Sequence, residues 1–311
     1  MHTLEQINKM ALDDPSMLIK LAENDYKAEI ESLAQKIISN NECKIVLLAG
    51  PSASGKTTSA HILKDNLLSK KIDCEVVSLD HFYLSGDKLP KQPNGEPDFE
   101  TVYALDLPLL HSFFAKIVEA GKADIPIFDF TSSRRSKKSH LIKLKPGGIL
   151  IVEGLHALNP VLTENLPAES TIGVYVSVNM AIKDKNENVV LTGRKLRLAR
   201  RISRDFLYRN TTAKQTLKFW TAVVKGEEKY LYCFKDIADV QLKTFHSYEP
   251  CIFAPIITKA LEHLPGDTEN YDYAMQLKAG LEKFVPLPFN PVPQDSLVRE
   301  FIEGGIYENI D

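Results

Sequence analysis

Short apolar runs alternate with longer stretches of mixed polarity through the middle of the chain. The apolar runs are rich in Val, Ile and Leu with few polar interruptions, which is typical of strands buried on both faces of a parallel sheet. They cover 43–50, 74–80, 147–154 and 171–178, with a weaker fifth at 238–242. Helices are predicted over 16–39, 57–69, 103–120 and 194–223. This alternation predicts an α/β fold with a doubly wound, mostly parallel sheet.

Three of the apolar runs end at or beside a residue that is suited to ligand binding or catalysis, namely Gly50, Asp80 and Glu153. Ligands of doubly wound sheets bind beyond the carboxyl ends of the strands, so these residues are expected to converge on one crevice. We predict a main domain over 43–265 with a helical lid at about 193–225. A helical extension, 1–42, precedes it, and a C-terminal helix with an extended tail, 266–311, follows it.

The composition is that of an ordinary globular protein. Of 311 residues, 44% are hydrophobic and 25% are charged, and the net charge of −3 does not favour a nucleic-acid partner. The N-terminus lacks a basic leader followed by an apolar run, and no stretch reaches the roughly 18 apolar residues of a membrane span. We therefore expect a cytoplasmic protein with a small-molecule partner and no membrane partner.

The cysteines and the tail add little to this picture. Because the cysteines show neither CxxC nor Cys/His spacing, we predict no disulfide framework and no zinc site. They are Cys43, Cys74, Cys233 and Cys251. The Pro-rich segment 284–296 favours an extended arm or an oligomer contact, and we expect a homo-oligomer.

The sequence GPSASGKT at 50–57 matches GxxxxGK followed by Ser or Thr, between a predicted strand and a predicted helix. The predicted nucleotide-binding residues are Gly50, Pro51, Ser52, Ala53, Ser54, Gly55, Lys56, Thr57 and Thr58. The glycines allow loop amides to face phosphate oxygens, Lys56 neutralises the β- and γ-phosphates, and the Thr57 hydroxyl suits Mg²⁺. A Ser/Gly turn that matches by chance is the alternative, and the strand–loop–helix context disfavours it. We predict a P-loop NTPase fold that binds a nucleoside triphosphate.

Several classes of P-loop protein are disfavoured by what surrounds this loop. The guanine-reading NKxD of GTPases does not occur in the chain. Motor and AAA-type ATPases usually carry an Asp-Glu pair at the end of the second nucleotide-site strand, whereas "ILIVEGLHAL" offers Glu153 followed by glycine. A small-molecule kinase remains.

A kinase needs a base near the acceptor hydroxyl, and "SLDHFY" at 78–83 supplies Asp80 at the end of a predicted strand. A carboxylate there can accept the hydroxyl proton and can contact Mg²⁺. The alternative is a helix N-cap, but the neighbouring P-loop favours catalysis. His81 is expected to be structural or adjacent to the substrate.

An arginine-rich segment, "GRKLRLARRISRDFLYRN" at 193–210, supplies positive charge. Four of its arginines share one helix face, and they are Arg197, Arg200, Arg201 and Arg204. A solvated basic face or a nucleic-acid patch are the alternatives. With an ATP site present, we favour a lid helix that closes over the phosphates and excludes water.

Between about Lys44 and Leu261 the chain resembles the uridine kinase group of the uridine kinase/phosphoribulokinase superfamily. The similar segments occur in the family's order, and they are "GPSASGKTT", "SLDHFY", "IPIFDFTSSRR", "ILIVEGLHAL", "RRISRDFLYRNTTAKQTL" and "KDIADVQL". The resemblance implies that Thr57, Asp80 and Glu153 gather around Mg²⁺. It also implies that Asp80 is the general base for a ribose 5′-hydroxyl.

The resemblance further assigns residues to the two substrates. Tyr83 and Glu100 would bind the acceptor, with Glu100 as the ribose-binding acid. Asp239 would lie near the adenine of ATP. The lid residues implied are Arg197, Arg200 and Arg209, with Gln215 near the substrate.

The chain departs from the pattern at two base-reading positions. Where pyrimidine-reading members carry a tyrosine and a histidine, this chain has Phe128 and Ser132. Without those hydrogen-bonding groups the base preference is expected to relax or change. Two alternatives to a nucleoside kinase stay open. One is a phosphoribulokinase-like kinase that uses the basic segment 132–138, and the other is a regulatory protein that binds ATP without transfer.

Overall fold

The structure is a computed structural model that describes residues 3–91, 95–129, 132 and 134–307. Its helices are α1 Leu4–Asp13, α2 Pro15–Ser39, α3 Lys56–Ser69, α4 Leu107–Ala120, α5 Gly193–Tyr208, α6 Ala213–Tyr230, α7 Glu249–Ala260 and α8 Tyr271–Leu281. Its strands are β1 Ile45–Ala49, β2 Cys74–Ser78, β3 Lys122–Asp129, β4 Arg134–Lys143, β5 Ile149–Glu153, β6 Thr171–Ser177, β7 Ala181–Lys183, β8 Val189–Thr192 and β9 Val240–Lys243.

Five strands form one parallel sheet in the order β2-β5-β1-β6-β9. The chain starts in the middle of the sheet at β1, builds β2 and β5 on one side, and then crosses to β6 and β9 on the other. The carboxyl end of β1 is therefore the point where the winding direction changes, which is where such sheets bind ligands. The predicted doubly wound α/β fold of the P-loop NTPase type is confirmed.

Alternate residues of β1 serve two different cores. Val46 and Leu48 pack with the helices at both ends of the chain, whereas Ile45 and Leu47 pack with α4 and the β3–β4 hairpin. Burial on both faces explains why the strand is an uninterrupted apolar run. The terminal segments share the first of these cores, so the domain boundaries at 42 and 265 stay predictions.

The predicted helix over 194–223 is wrong in one respect, because it is two helices. The chain breaks between α5 and α6, where Asn210 adopts a left-handed φ of 47°. A capping box then starts α6, with Thr212 accepting from the Gln215 amide and Gln215 accepting from the Thr212 amide. The helix predicted from residue 103 begins at Leu107 because the Asp106 side chain caps it.

Helix α2 and the C-terminal tail both pack against α3. Tyr26 of α2 donates a hydrogen bond to Ser59 of α3 at 2.8 Å. A short 3₁₀ segment, Leu297–Phe301, packs between α3 and α5. Among the described helices, none is long and apolar enough to cross a bilayer.

Candidate active site

The loop at 50–57 connects β1 to α3 and takes the conformation that its glycines allow. Gly55 has φ = 86° and precedes the first residue of α3, while Ala53 has φ = 55°. A Cβ on Gly50 would lie 2.5 Å from the Val176 carbonyl oxygen, so only glycine fits there. The loop therefore passes close to β6 and directs the amino end of α3 toward the space above the sheet.

Arg197 and Glu227 support the back of this loop. The Arg197 guanidinium donates to both Glu227 carboxylate oxygens at 2.7 and 2.6 Å and to the Ser52 carbonyl at 3.0 Å. Glu227 also accepts the Ser52 amide at 2.8 Å. Because Arg197 is bound on these sides and buried, its role here is to shape the loop.

Arg200 forms a second buried pair on the same side. Its guanidinium donates to both carboxylate oxygens of Glu249 at 2.7 and 2.8 Å and to the Ala53 carbonyl at 3.2 Å, and both charged side chains are 0% exposed. The expectation that Arg197 and Arg200 are lid residues facing the phosphates is therefore corrected. The buried carboxylates of Glu227 and Glu249 bind the two guanidinium groups, and both arginines also donate to carbonyl oxygens of the loop.

A cavity of about 420 Å³ opens above the loop and brings most of the predicted site together. Its cationic lining residues are Lys56, Arg201 and Arg209. Its acidic lining residues are Asp80, Glu100, Glu153 and Glu227. Ser52, Thr57 and Tyr83 also line it, so the loop after β1, the segment after β2, the end of β5 and the helices α3, α5 and α6 meet at one place.

Two other arginines of α5 take the position expected of lid residues. Arg201 lines the cavity and donates to the Ser52 hydroxyl at 2.9 Å. Arg209, at the end of α5, lies 3.7 Å from Asp205, and Arg201 lies 3.7 Å from the same carboxylate. Asp205 thus holds two guanidinium groups at the cavity wall. The periodicity predicted the shared face that contains Arg201, but it did not separate Arg201 from its buried neighbours.

Burial changes the proton affinity of two residues that line the cavity, Glu100 and Tyr83. It raises the pKa of Glu100, and the charges of Asp98 and Glu227 raise it further. Burial also raises the pKa of the Tyr83 phenol far above its ordinary value, so that hydroxyl stays protonated and donates to the Phe99 carbonyl at 3.3 Å. The Glu100 carboxyl of this cavity therefore loses its proton at a higher pH than an ordinary glutamate does.

The chemistry of the cavity fits a magnesium ion. The Thr57 hydroxyl and the carboxylates of Asp80 and Glu153 are hard oxygen donors that line the same space. Within the described ranges, no three His, Cys, Asp or Glu side chains group closely enough to hold a metal by themselves. Mg²⁺ usually keeps several waters and takes only one or two carboxylates plus phosphate oxygens, so this donor set suits it.

The two predicted base-reading residues lie outside the cavity lining. Phe128 is buried, packs edge-on against Tyr83 at 5.8 Å between ring centroids, and donates its amide to His81 Nδ1 at 3.4 Å. The Ser132 hydroxyl donates to Asp129 at 2.7 Å. Phe128 is thus a buried residue and Ser132 closes a turn, and their contact with a substrate stays a prediction.

Three further predicted site residues make structural contacts. The Gln215 side chain is used in the capping box of α6. The Asp239 carboxylate accepts the Gly173 amide at 2.7 Å, just before β9 begins, which is the opposite end of that strand from the nucleotide side. Thr58 is buried and donates its hydroxyl to Glu300 at 2.7 Å, a partner from the C-terminal tail that the sequence did not indicate.

The chain is similar to a known protein family and to curated members of it. The Phosphoribulokinase / Uridine kinase family matches residues 45–248. A uridine kinase of Lactobacillus johnsonii is 29% identical over 181 residues, which is 58% of this chain and 76% of that protein. A uridine kinase of Mycoplasma genitalium is 28% identical over 221 residues, which is 71% of this chain and 93% of that protein.

A solved structure titled as a possible uridine kinase from Bacillus stearothermophilus superposes with a TM-score of 0.47 at 18% identity. The superposition covers 70% of this chain and 100% of the other. The family match extends from β1 to the residue before α7 and so includes the loop, both acidic strand ends and the arginine helix. The chain belongs to the phosphoribulokinase/uridine kinase family.

Proposed function

We propose that this protein is an ATP-dependent kinase that phosphorylates the 5′-hydroxyl of a nucleoside, with uridine and cytidine as the first candidates. One observation carries the proposal. Two acidic residues suited to an acceptor sugar, Asp80 and Glu100, line the same cavity as Lys56 and Thr57 of the phosphate-binding loop. The family match and the uridine kinases among the relatives support phosphoryl transfer to an alcohol.

The loop amides and Lys56 bind the β- and γ-phosphates, and Arg201 and Arg209 stabilise the charge that develops on the transferring group. Thr57, Asp80 and Glu153 would hold Mg²⁺, which supplies charge neutralisation on the phosphates when bound. Asp80 accepts the proton of the attacking hydroxyl. These roles replace Arg197 and Arg200 by the arginines that line the cavity.

The acceptor side favours a neutral alcohol over a sugar phosphate. Asp80 and Glu100 line the cavity, and the negative charges of these two carboxylates disfavour an anionic acceptor. The basic segment that a phosphoribulokinase-like site requires lies elsewhere. Arg135 forms an ion pair with Asp106 at 2.9 Å, and no described residue of 132–138 lines the cavity.

The base is expected to be read loosely. Phe128 is occupied in the core and Ser132 in a turn, so these two positions supply no hydrogen bond that would discriminate between bases. A site with no such donor accepts related bases with similar efficiency. We expect both pyrimidine nucleosides to be substrates, with at most a modest preference between them.

The test is ADP release from Mg²⁺-ATP in the presence of single acceptors. The panel is uridine, cytidine, inosine, guanosine, adenosine and ribulose 5-phosphate, with mass spectrometry and NMR locating the new phosphate. Stimulation by a nucleoside and phosphate on its 5′-oxygen are expected. Stimulation by ribulose 5-phosphate alone would replace the proposed acceptor, and ATP binding without stimulation by any acceptor would favour a regulatory protein.

A further inference from the structure

The C-terminal tail at 295–305, "DSLVREFIEGG", packs against the phosphate-binding loop where the loop meets α3. Leu297, Val298, Phe301 and Ile302 are each 0% exposed. A Cβ added to Gly55 would lie 2.7 Å from a methyl carbon of Leu297. The tail thus contacts the turn at which the loop becomes α3.

The tail is fixed in place by its own hydrogen bonds. The Arg299 guanidinium donates to the carbonyls of Val292, Phe289 and Glu303 at 2.5, 3.2 and 2.8 Å, which closes the segment on itself. The Phe301 carbonyl accepts the Ser203 hydroxyl of α5 at 2.7 Å. A segment held in this way presents its remaining side chains in defined positions.

One of those side chains, Glu300, joins the two elements that supply the cavity's cations. One carboxylate oxygen accepts the Thr58 hydroxyl of α3 at 2.7 Å, and the other accepts Arg204 of α5 at 3.2 Å. Thr58 follows Thr57 in the first turn of α3, and Arg204 lies one helical turn from Arg201. The side chains of Glu300 and Arg204 are 18% and 16% exposed, so water only partly screens this ion pair.

We propose that Glu300 is a positioning residue for ATP, because it bridges the first turn of α3 and the arginine helix and adds to the contacts that this helix makes with the loop. Lys56 and Thr57 belong to α3, whereas Arg201 belongs to α5, and under the proposed function all three act on the same phosphates. A small displacement between such groups strongly weakens their binding of the ligand and of the transition state. The inference rests on the proposed use of ATP but not on the identity of the acceptor.

The experiment measures the Kd of Mg²⁺-ATP by calorimetry without any acceptor, in the full chain. Glu300→Ala removes both contacts and is expected to raise this Kd about tenfold, which is close to the lower end of the range for losing a hydrogen bond to a charged group. Glu300→Gln keeps an oxygen for Thr58 but loses the charge, and a smaller increase is expected. Glu303→Gln is the matched control, since this exposed glutamate of the same tail is expected to leave Kd unchanged.

A double mutant separates positioning from general destabilisation. If the contact with Thr58 transmits the effect, Thr58→Val is expected to weaken ATP binding, and Thr58→Val with Glu300→Ala to be less than additive. In steady-state kinetics the KM for ATP is expected to rise while the KM for the acceptor stays constant. A Kd within twofold of the wild type in folded Glu300→Ala, or equal losses in Glu303→Gln, would overturn the proposal.

The outcome also distinguishes this inference from the proposed function. If ATP binds, Glu300→Ala weakens it and no nucleoside is phosphorylated, the acceptor is wrong and the positioning role stands. If nucleosides are phosphorylated and Glu300→Ala binds ATP as the wild type does, the positioning role falls alone. If the wild type does not bind ATP, both fall.

Discussion

The assignment of different roles to two neighbouring arginines can be tested by replacing each with methionine. Arg200 is 0% exposed, and its guanidinium is bound by Glu249, Ala53 and Thr244. Removing one partner of a buried pair leaves an uncompensated charge and costs about 3–5 kcal/mol of unfolding free energy. Arg200→Met is expected to lose that amount in urea unfolding at pH 7.

Arg201→Met is expected to behave in the opposite way. Its side chain is 21% exposed and lies 3.7 Å from Asp205, which Arg209 also approaches within 3.7 Å, so its loss leaves Asp205 a cationic partner and is expected to cost less unfolding free energy than the loss of Arg200. Because it lines the cavity, its removal is expected to lower kcat by about 10²- to 10³-fold, as for a lost donor to a developing charge. An Arg200→Met enzyme with the wild-type urea midpoint and a comparable loss of kcat would refute the reasoning.

Three further predictions follow from single contacts. Gly55→Ala is expected to cost about 1–3 kcal/mol of unfolding free energy in urea, since φ is 86° and the new methyl meets Leu297; unchanged stability would contradict the geometry. Burial raises the pKa of Glu249, but the charge of Arg200 and its hydrogen bonds outweigh burial and lower the pKa to about 2. The stability that Glu249 contributes is therefore present above about pH 4.5 and lost as pH falls toward 2, so urea unfolding of Glu249→Gln and the wild type should converge over that range. If the ionised Glu100 carboxylate binds the acceptor sugar, the KM for the acceptor should fall as pH rises through the raised pKa of Glu100. In Glu100→Gln the KM for the acceptor should not change with pH, and the KM for ATP should equal that of the wild type.

The local pattern was enough to predict the sheet and the acidic strand ends. The P-loop motif can be recognised from eight residues of sequence. The apolar runs before Gly50, Asp80 and Glu153 place those residues at the same edge of a parallel sheet. Both the strand identities and the convergence depend only on short-range periodicity and on the topology rule. The structure brings Asp80 and Glu153 to the same cavity as Thr57.

Roles that depend on distant partners could not be predicted. Helical spacing gives a shared face, but Arg197 and Arg200 are withdrawn from the cavity by Glu227 and Glu249, which lie 30 and 49 residues further along the chain. The contact of Thr58 with Glu300 spans 242 residues. Gln215 is different, because the sequence Thr-x-x-Gln before an apolar periodic run is a local capping signal that was available.

The most direct test of the central claim is the kcat of Asp80→Asn against the wild type with uridine and Mg²⁺-ATP. Asparagine keeps the size of the side chain but cannot take a proton, so kcat is expected to fall by about 10²- to 10⁴-fold while the urea midpoint stays near its wild-type value. An Asp80→Asn enzyme that turns uridine over at the wild-type rate would contradict the assignment of Asp80 as the base.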